Sequence, residues 1–353
     1  MKKKLIIGIT VLVVVIGLAC WGLMRMFSGP LYVPGDLTSQ ENYQHLLKPV
    51  QEQDLENYFV LNDGIKLHYF TKGQGRPVLV MHGGPGIPYR QAWKGLDSLT
   101  EQFKFYYYDQ RGCGQSTRPF DRFESSNFYE NMMALNDNLG LPAQLADIEQ
   151  IRRKLGEEKL IIIGHSFGGF MASLYAAEFP DKVEQLILVT PAELLKMPSE
   201  SGGLYDEVKK RLPKDKVAEF ETYMAELLDF SNMFEKSEQE LVALNKGFIP
   251  YYNLATNNSV PEEAMNPEIG GWLQNAVFMS MGKEHDYTAA MKQIKVPTLV
   301  VCGEEDMIPL SSVQLYLDYI PNSQLKTIPK ATHFCFDEQP AAFGEIVREV
   351  LLK

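Results

Sequence analysis

This 353-residue sequence predicts an α/β fold: a mostly parallel central sheet flanked by helices, with an inserted helical cap, preceded by one N-terminal transmembrane helix. Three observations predict it. Short runs rich in β-branched and aromatic residues alternate with helical or loop-like stretches, the rhythm of βαβ units. Some of these runs are apolar without interruption, as in Leu160-Ile161-Ile162-Ile163, which suits strands buried on both faces of a parallel sheet. The rhythm stops between about residues 191 and 292, where amphipathic stretches at 204–212 and 216–228 are punctuated by Pro213, Pro250, Pro261 and Pro267, and no strong strand is visible.

At the N-terminus, Lys2, Lys3 and Lys4 precede an uncharged apolar run over residues 5–24, closed by Arg25. Roughly 20 apolar residues span a bilayer core, and no polar face interrupts the run, so it reads as a membrane segment rather than a core helix. The positive cluster on its N-terminal side leaves the N-terminus cytoplasmic and exports everything after Arg25. The expectation is a single-pass protein of a bacterial cell membrane. Two processing outcomes stay open: an uncleaved signal anchor, or lipoprotein cleavage at Gly17-Leu18-Ala19-Cys20, after which Cys20 would carry the lipid. Residues 1–27 are thus the anchor. Residues 28–53 mix Gly, Pro and polar residues without a clear period and read as a tether with one short helix.

The first strands are expected at 58–61 and 65–71, flanking the hairpin signal Asn62-Asp63-Gly64. Further strands follow at 77–81, 103–109, 160–164, 183–190, 296–302 and 323–327. This divides the chain into a first core part at 54–190, the helical cap at 191–292 and a second core part at 293–353. A hydrophobic content of 45% is that of an ordinary globular protein with a substantial core.

Composition also excludes functions. The formal net charge is -11, and since four of the 34 basic residues and none of the 45 acidic ones precede position 26, the exported part carries a net of about -15. Such a chain lacks the basic footprint that phosphate backbones require, so no nucleic acid partner is expected. Four cysteines, Cys20, Cys113, Cys302 and Cys335, show neither CxxC nor zinc spacing, so no metal, no cofactor and no disulfide framework is implied.

Chemistry-bearing residues gather at the C-terminal ends of expected strands, where open parallel sheets place their sites. Gly164-His165-Ser166-Phe167-Gly168-Gly169 follows one strand and opens a helical run, matching the nucleophile elbow G-x-S-x-G with Ser166 as the nucleophile. His82-Gly83-Gly84-Pro85-Gly86 follows another and can expose a backbone N–H toward the same point. The expected oxyanion hole is the N–H of Gly84, or of Gly83, together with that of Phe167. His82 itself reads as a structural hydrogen-bonding residue. A serine hydroxyl needs a base, and in this architecture the acid and then the histidine follow it in the chain. Asp306 lies just after the strand at 296–302, and His333 after that at 323–327; Glu304 and Glu305 are rivals for the acid role. Cys302 and Cys335 border these two loops and read as buried free thiols.

The segment His82-Gly83-Gly84-Pro85-Gly86, followed by Asp109-Gln110-Arg111-Gly112-Cys113-Gly114-Gln115-Ser116 and then the elbow, resembles the prolyl aminopeptidase (proline iminopeptidase) family of α/β-hydrolases. The resemblance runs from about residue 58 to the C-terminus and is weakest in the cap. It implies the triad Ser166, Asp306 and His333, oxyanion donors from the His82–Gly86 segment, and structural roles for Asp109 and Arg111 beneath the site. It further implies metal-free release of an N-terminal residue, proline among them, from short peptides. The family's elbow usually reads Gly-Gly-Ser-Trp-Gly, whereas His165 and Phe167 flank the serine here, a departure that bears on proline preference. Cap glutamates hold the substrate amine in the family, and Glu193, Glu200, Glu207, Glu219, Glu221, Glu226, Glu262, Glu263 and Glu268 are available for it, none singled out and most of them reading as solvated helix faces. The same triad would equally serve a carboxylic-ester hydrolase, and a catalytically idle binding protein is the third reading.

Overall fold

Ten strands form in the computed structural model, which describes residues 29–199, 202–256 and 268–352. They are β1 Tyr58–Val60, β2 Lys66–Gly73, β3 Arg76–Met81, β4 Phe103–Tyr108, β5 Leu160–His165, β6 Val183–Val189, β7 Lys196–Met197, β8 His285–Asp286, β9 Thr298–Gly303 and β10 Ser323–Ile328. Eight of them join in one sheet of order β1-β2-β4-β3-β5-β6-β9-β10. β1 pairs antiparallel with β2 across the expected hairpin, and β2 pairs antiparallel with β4. Every other neighbour in this sheet is parallel.

The helices are α1 Asp36–Ser39, α2 Phe128–Leu139, α3 Leu141–Lys154, α4 Phe167–Glu178, α5 Leu204–Arg211, α6 Val217–Leu227, α7 Glu238–Lys246, α8 Phe248–Ala255, α9 Trp272–Met281, α10 Thr288–Met291, α11 Leu310–Tyr319, α12 Cys335–Glu338 and α13 Pro340–Leu351. Alternate strand residues serve opposite faces, as a period of two requires. Leu79, Met81, Leu160 and Ile162 join the core beside α3 and α4, while Val78, Val80, Ile161 and Ile163 join a second core with Trp93, Phe343 and Val347. This is why the uninterrupted apolar runs were needed: both sheet faces are covered. α4 runs behind the elbow strand with all of its residues buried.

Between β6 and β9 the chain is mainly helical, with α5, α6 and α8 sharing a small apolar core of Val208, Leu212, Phe220 and Tyr251. Where no strong strand was expected, β7 and β8 pair antiparallel, though each has only two residues. Segments this short carry no readable period.

The expected tether is corrected more substantially. From residue 29 it is docked rather than loose: Tyr32, Leu37 and Tyr43 are fully buried. The Glu178 carboxylate at the end of α4 accepts from Tyr32 Oη at 2.8 Å, from the Gly35 and Thr38 N–H groups, and from Thr38 Oγ1. Leu31 N–H reaches Ser280 O at 2.8 Å. Isolated apolar residues without a period conceal such docking in a sequence, because their partners lie more than a hundred residues away. The expected membrane segment and Cys20 fall outside the described residues; among the described residues no helix is long and apolar enough to cross a membrane.

Candidate active site

β5 ends in a turn that only small residues permit. A Cβ on Gly164 would run into the Gly168 carbonyl, and one on Gly168 would lie 2.6 Å from His82 O and against Met81 O. Ser166 at the apex takes φ 54° and ψ -121°, a strained conformation for a non-glycine residue. The surrounding backbone holds it there: Ser166 N–H donates to Val189 O at 2.9 Å, and Ser166 O accepts from the N–H groups of Gly169, Phe170 and Ala192. Although Ser166 occupies the N-cap position of α4, its hydroxyl does not cap the helix. It opens instead onto a cavity of about 390 Å³, whose lining it shares with Gly83, Gly84, His165 and His333.

The loop after β3 comes against the nucleophile from the other side. A Cβ on Gly83 would sit 2.8 Å from Ser166 Cβ, so glycine is what allows the approach. Among the described residues the N–H groups of Gly83, Gly84 and Phe167 donate to no protein acceptor, and that of Phe167 begins α4, where the helix dipole favours negative charge. His82 is not a base. Its Nδ1–H donates to Gly83 O at 2.9 Å, its Nε2 accepts from Gln110 N–H at 3.0 Å, and burial lowers its pKa to about 4.

Asp306 and His333 are brought together from the loops after β9 and β10. Nδ1 of His333 lies 3.0 and 3.2 Å from the two Asp306 oxygens, and Asp306 Oδ1 also accepts from Ile308 N–H. Since a carboxylate only accepts, the proton sits on Nδ1 and the Nε2 lone pair is left for a substrate-side proton. Burial depresses the His333 pKa, but the charge and hydrogen bond of Asp306, with Glu193 and Glu338 nearby, more than offset this and leave it raised. Glu304 and Glu305 are exposed and neither bonds to His333; Glu304 accepts from Thr327 Oγ1 instead. Cys302 and Cys335 are buried free thiols, with the Cys302 pKa pushed up to about 12 by burial.

Beneath the site, Asp109 is buried and accepts from Gln115 N–H, His68 and Arg90, while Arg111 pairs with buried Asp147. Both are therefore braces, as the motif resemblance implied.

Most of the described cap glutamates are exposed, as solvated helix faces are. Among the described residues, Glu193, Glu207, Glu219, Glu221, Glu226 and Glu268 do not line the cavity. Glu207, Glu219 and Glu221 pair with neighbouring lysines, Glu268 faces Arg90 at 3.6 Å, and Glu193 holds the Leu204 N–H at the start of α5. Glu200, Glu262 and Glu263 fall outside the described residues. What the cap contributes is mainly apolar and aromatic: Leu204, Tyr205, Leu227, Phe248, Ile249 and Tyr252. The carboxylates on the wall are Asp337 and Glu338, which the sequence reading missed because they lie in α12, four and five residues after His333, rather than in the cap.

This fold and site define a class. The chain matches the alpha/beta hydrolase fold family over residues 76–340 and belongs to that family. Within it, the chain is similar to the proline iminopeptidase of Lactobacillus delbrueckii subsp. lactis, with 26% identity over 289 residues, covering 78% of this chain and 90% of that protein. The solved proline iminopeptidase of Mycobacterium smegmatis has a TM-score of 0.57 at 18% identity, covering 83% of this chain and 96% of that one. An esterase from Exiguobacterium antarcticum has a TM-score of 0.54 at 20% identity, covering 84% and 99%. At such identities the two solved structures speak for the fold alone. The likeness to proline iminopeptidases read from the motifs thus extends over most of the chain.

Proposed function

We propose that the protein is a serine aminopeptidase that releases N-terminal residues, proline among them, from short peptides. The observation that carries the hydrolase reading is that His333, paired with Asp306, lines the same cavity as Ser166 on its strained elbow. His333 Nε2 takes the Ser166 proton as Oγ attacks the scissile carbonyl, and the tetrahedral oxyanion accepts from Phe167 N–H and from that of Gly83 or Gly84. His333 then gives the proton to the leaving amine as the peptide C–N bond breaks; water, deprotonated by His333, attacks the acyl-enzyme, the bond to Ser166 Oγ breaks, and His333 returns the proton to Oγ. The peptidase reading is supported by similarity to a proline iminopeptidase over 78% of this chain and 90% of that protein.

A carboxylic-ester hydrolase is the second reading, and one observation favours it: the described cap presents mainly apolar and aromatic side chains to the cavity, with Asn245 and Gln274 but no carboxylate. A panel of aminoacyl-arylamides, their N-acetylated counterparts and short-chain aryl esters separates the two. Faster cleavage of free-amine substrates supports the aminopeptidase; indifference to acetylation with rapid ester turnover replaces it by the esterase.

The catalytic part is proposed to lie outside the cytoplasmic membrane, held by the apolar run at 5–24. Retention in membranes after high-salt washing and full-length mass support an uncleaved anchor, a chain starting at lipidated Cys20 supports the lipoprotein form, and full-length protein in the soluble cytoplasm overturns both.

A further inference from the structure

His165, the residue before the nucleophile, is fully enclosed, and its ring makes two bonds that reach two different loops. Nε2 lies 2.9 Å from the main-chain O of His333, and Nδ1 lies 2.6 Å from Tyr89 Oη. A carbonyl only accepts, so Nε2 carries the proton, and Nδ1 must then accept the Tyr89 O–H. One neutral tautomer satisfies both partners. Burial first, and then the nearby His333, keep the pKa of His165 well below the ordinary histidine value.

The two partners are not peripheral. Tyr89 closes the same loop that carries Gly83 and Gly84, and His333 is the expected base. The rings of His165 and His333 lie 4.6 Å apart between centroids, and Phe336 packs edge-on against His165 at 5.0 Å. Thr190 Oγ1 gives the His333 carbonyl a second, longer bond at 3.3 Å.

Building on the serine-hydrolase reading, we propose that His165 is a positioning residue which, with Tyr89, ties the oxyanion loop and the His333 loop to the nucleophile elbow, so that donors, base and nucleophile keep one register. It touches neither substrate carbonyl nor transferred proton. It acts through His333 by fixing where that residue's main chain sits, and so how squarely Nδ1 meets Asp306. The charged and titratable groups around His333 are Asp306, Glu193, Glu338 and the neutral His165; those around His165 are His333, His82 and the Tyr89 hydroxyl. If the tie is cut, the Asp306 hydrogen bond slackens and the pKa of His333 falls.

The test compares Tyr89→Phe, His165→Leu and His165→Gln with the unaltered full chain, measuring kcat, KM, the pH profile of kcat/KM and thermal stability. Tyr89→Phe removes a single hydroxyl and should lower kcat about tenfold, and His165→Leu about a hundredfold, with KM within about twofold, as loss of alignment rather than of binding predicts. The acid limb of kcat/KM should move to lower pH in both. His165→Gln, which keeps one donor and one acceptor, should recover part of the loss. A rise in KM at constant kcat, or an unmoved limb with activity lost only in step with folded fraction, overturns the proposal. If His165→Leu does not fold, Tyr89→Phe and His165→Gln decide it. Failure of the hydrolase reading itself looks different: the unaltered chain would then take no fluorophosphonate label at Ser166.

Discussion

Asp306 and His333 stand 27 positions apart in the chain, yet their side chains meet at 3.0 Å in a setting where both are largely buried. The carboxylate offsets the desolvation of the imidazolium, so His333 holds its proton to a higher pH than an ordinary histidine. Only the neutral imidazole can act as base, so kcat/KM should rise with pH through an acid limb lying above the usual value of about 6.5. Asp306→Asn removes the charge that raises this pKa; the limb should move down while kcat falls by about 10⁴-fold through loss of the correct tautomer. A limb unchanged in Asp306→Asn would show that another group sets it.

Ser166→Ala should abolish fluorophosphonate labelling and lower turnover by about three orders of magnitude or more. Thermal stability should stay close to that of the unaltered chain, because the hydroxyl caps nothing. Near-full activity in this variant would remove the covalent mechanism.

Two glycines should respond differently to alanine. In Gly168→Ala the new methyl meets the main-chain oxygens of Met81 and His82, which cannot move without disturbing β3, so stability should fall by about 1–3 kcal/mol. In Gly83→Ala the methyl meets the Ser166 side chain, so activity should drop with a smaller change in melting temperature. Denaturant midpoints and turnover measured on both proteins distinguish the two outcomes.

The docked segment at 29–53 should be part of the folded body. Tyr32→Ala empties a fully buried aromatic site, with an expected cost of about 3–5 kcal/mol. Glu178→Ala strands the donors that converge on its carboxylate and should cost about 1–3 kcal/mol. Both follow from chemical denaturation; no change in either variant would mean the segment is dispensable.

On the cavity wall, Phe248→Ala should raise KM for substrates with apolar acyl groups about tenfold, the scale of one lost pocket contact. Glu219→Gln, whose parent side chain binds Lys216 and Tyr251 away from the cavity, should leave KM unchanged. A large KM effect at Glu219 would return amine binding to this part of the cap.

Much of this was legible because it is local. The strand at 160–164 was readable from four consecutive apolar residues, and β5 occupies Leu160–His165. The elbow was readable because a strand, a tight turn and a helix impose small residues at Gly164 and Gly168 in a fixed order. Asp306 and His333 were readable from the strands they follow. The docked segment was not, since Tyr32 and Leu37 show no period and Glu178, which Tyr32 meets, lies beyond the elbow. Nor was the tie made by His165, which in the sequence is only a departure from a familiar elbow.

The sequence by itself determined the order of strands and helices, the elbow and the candidate triad, because each is written in neighbouring residues through periodicity, turn chemistry and position after a strand. Only the tertiary structure decided which side chains meet across the sheet. It placed Asp306 rather than Glu304 or Glu305 at His333, turned Glu207, Glu219 and Glu221 of the cap to lysine pairs, left aromatic groups on the cavity wall, and joined Tyr89, His165 and the His333 carbonyl by two hydrogen bonds. The physical reason is one of range. Backbone preferences and hydrophobic period act over a few residues, whereas a hydrogen bond between buried groups exists only once the whole sheet has brought their loops together.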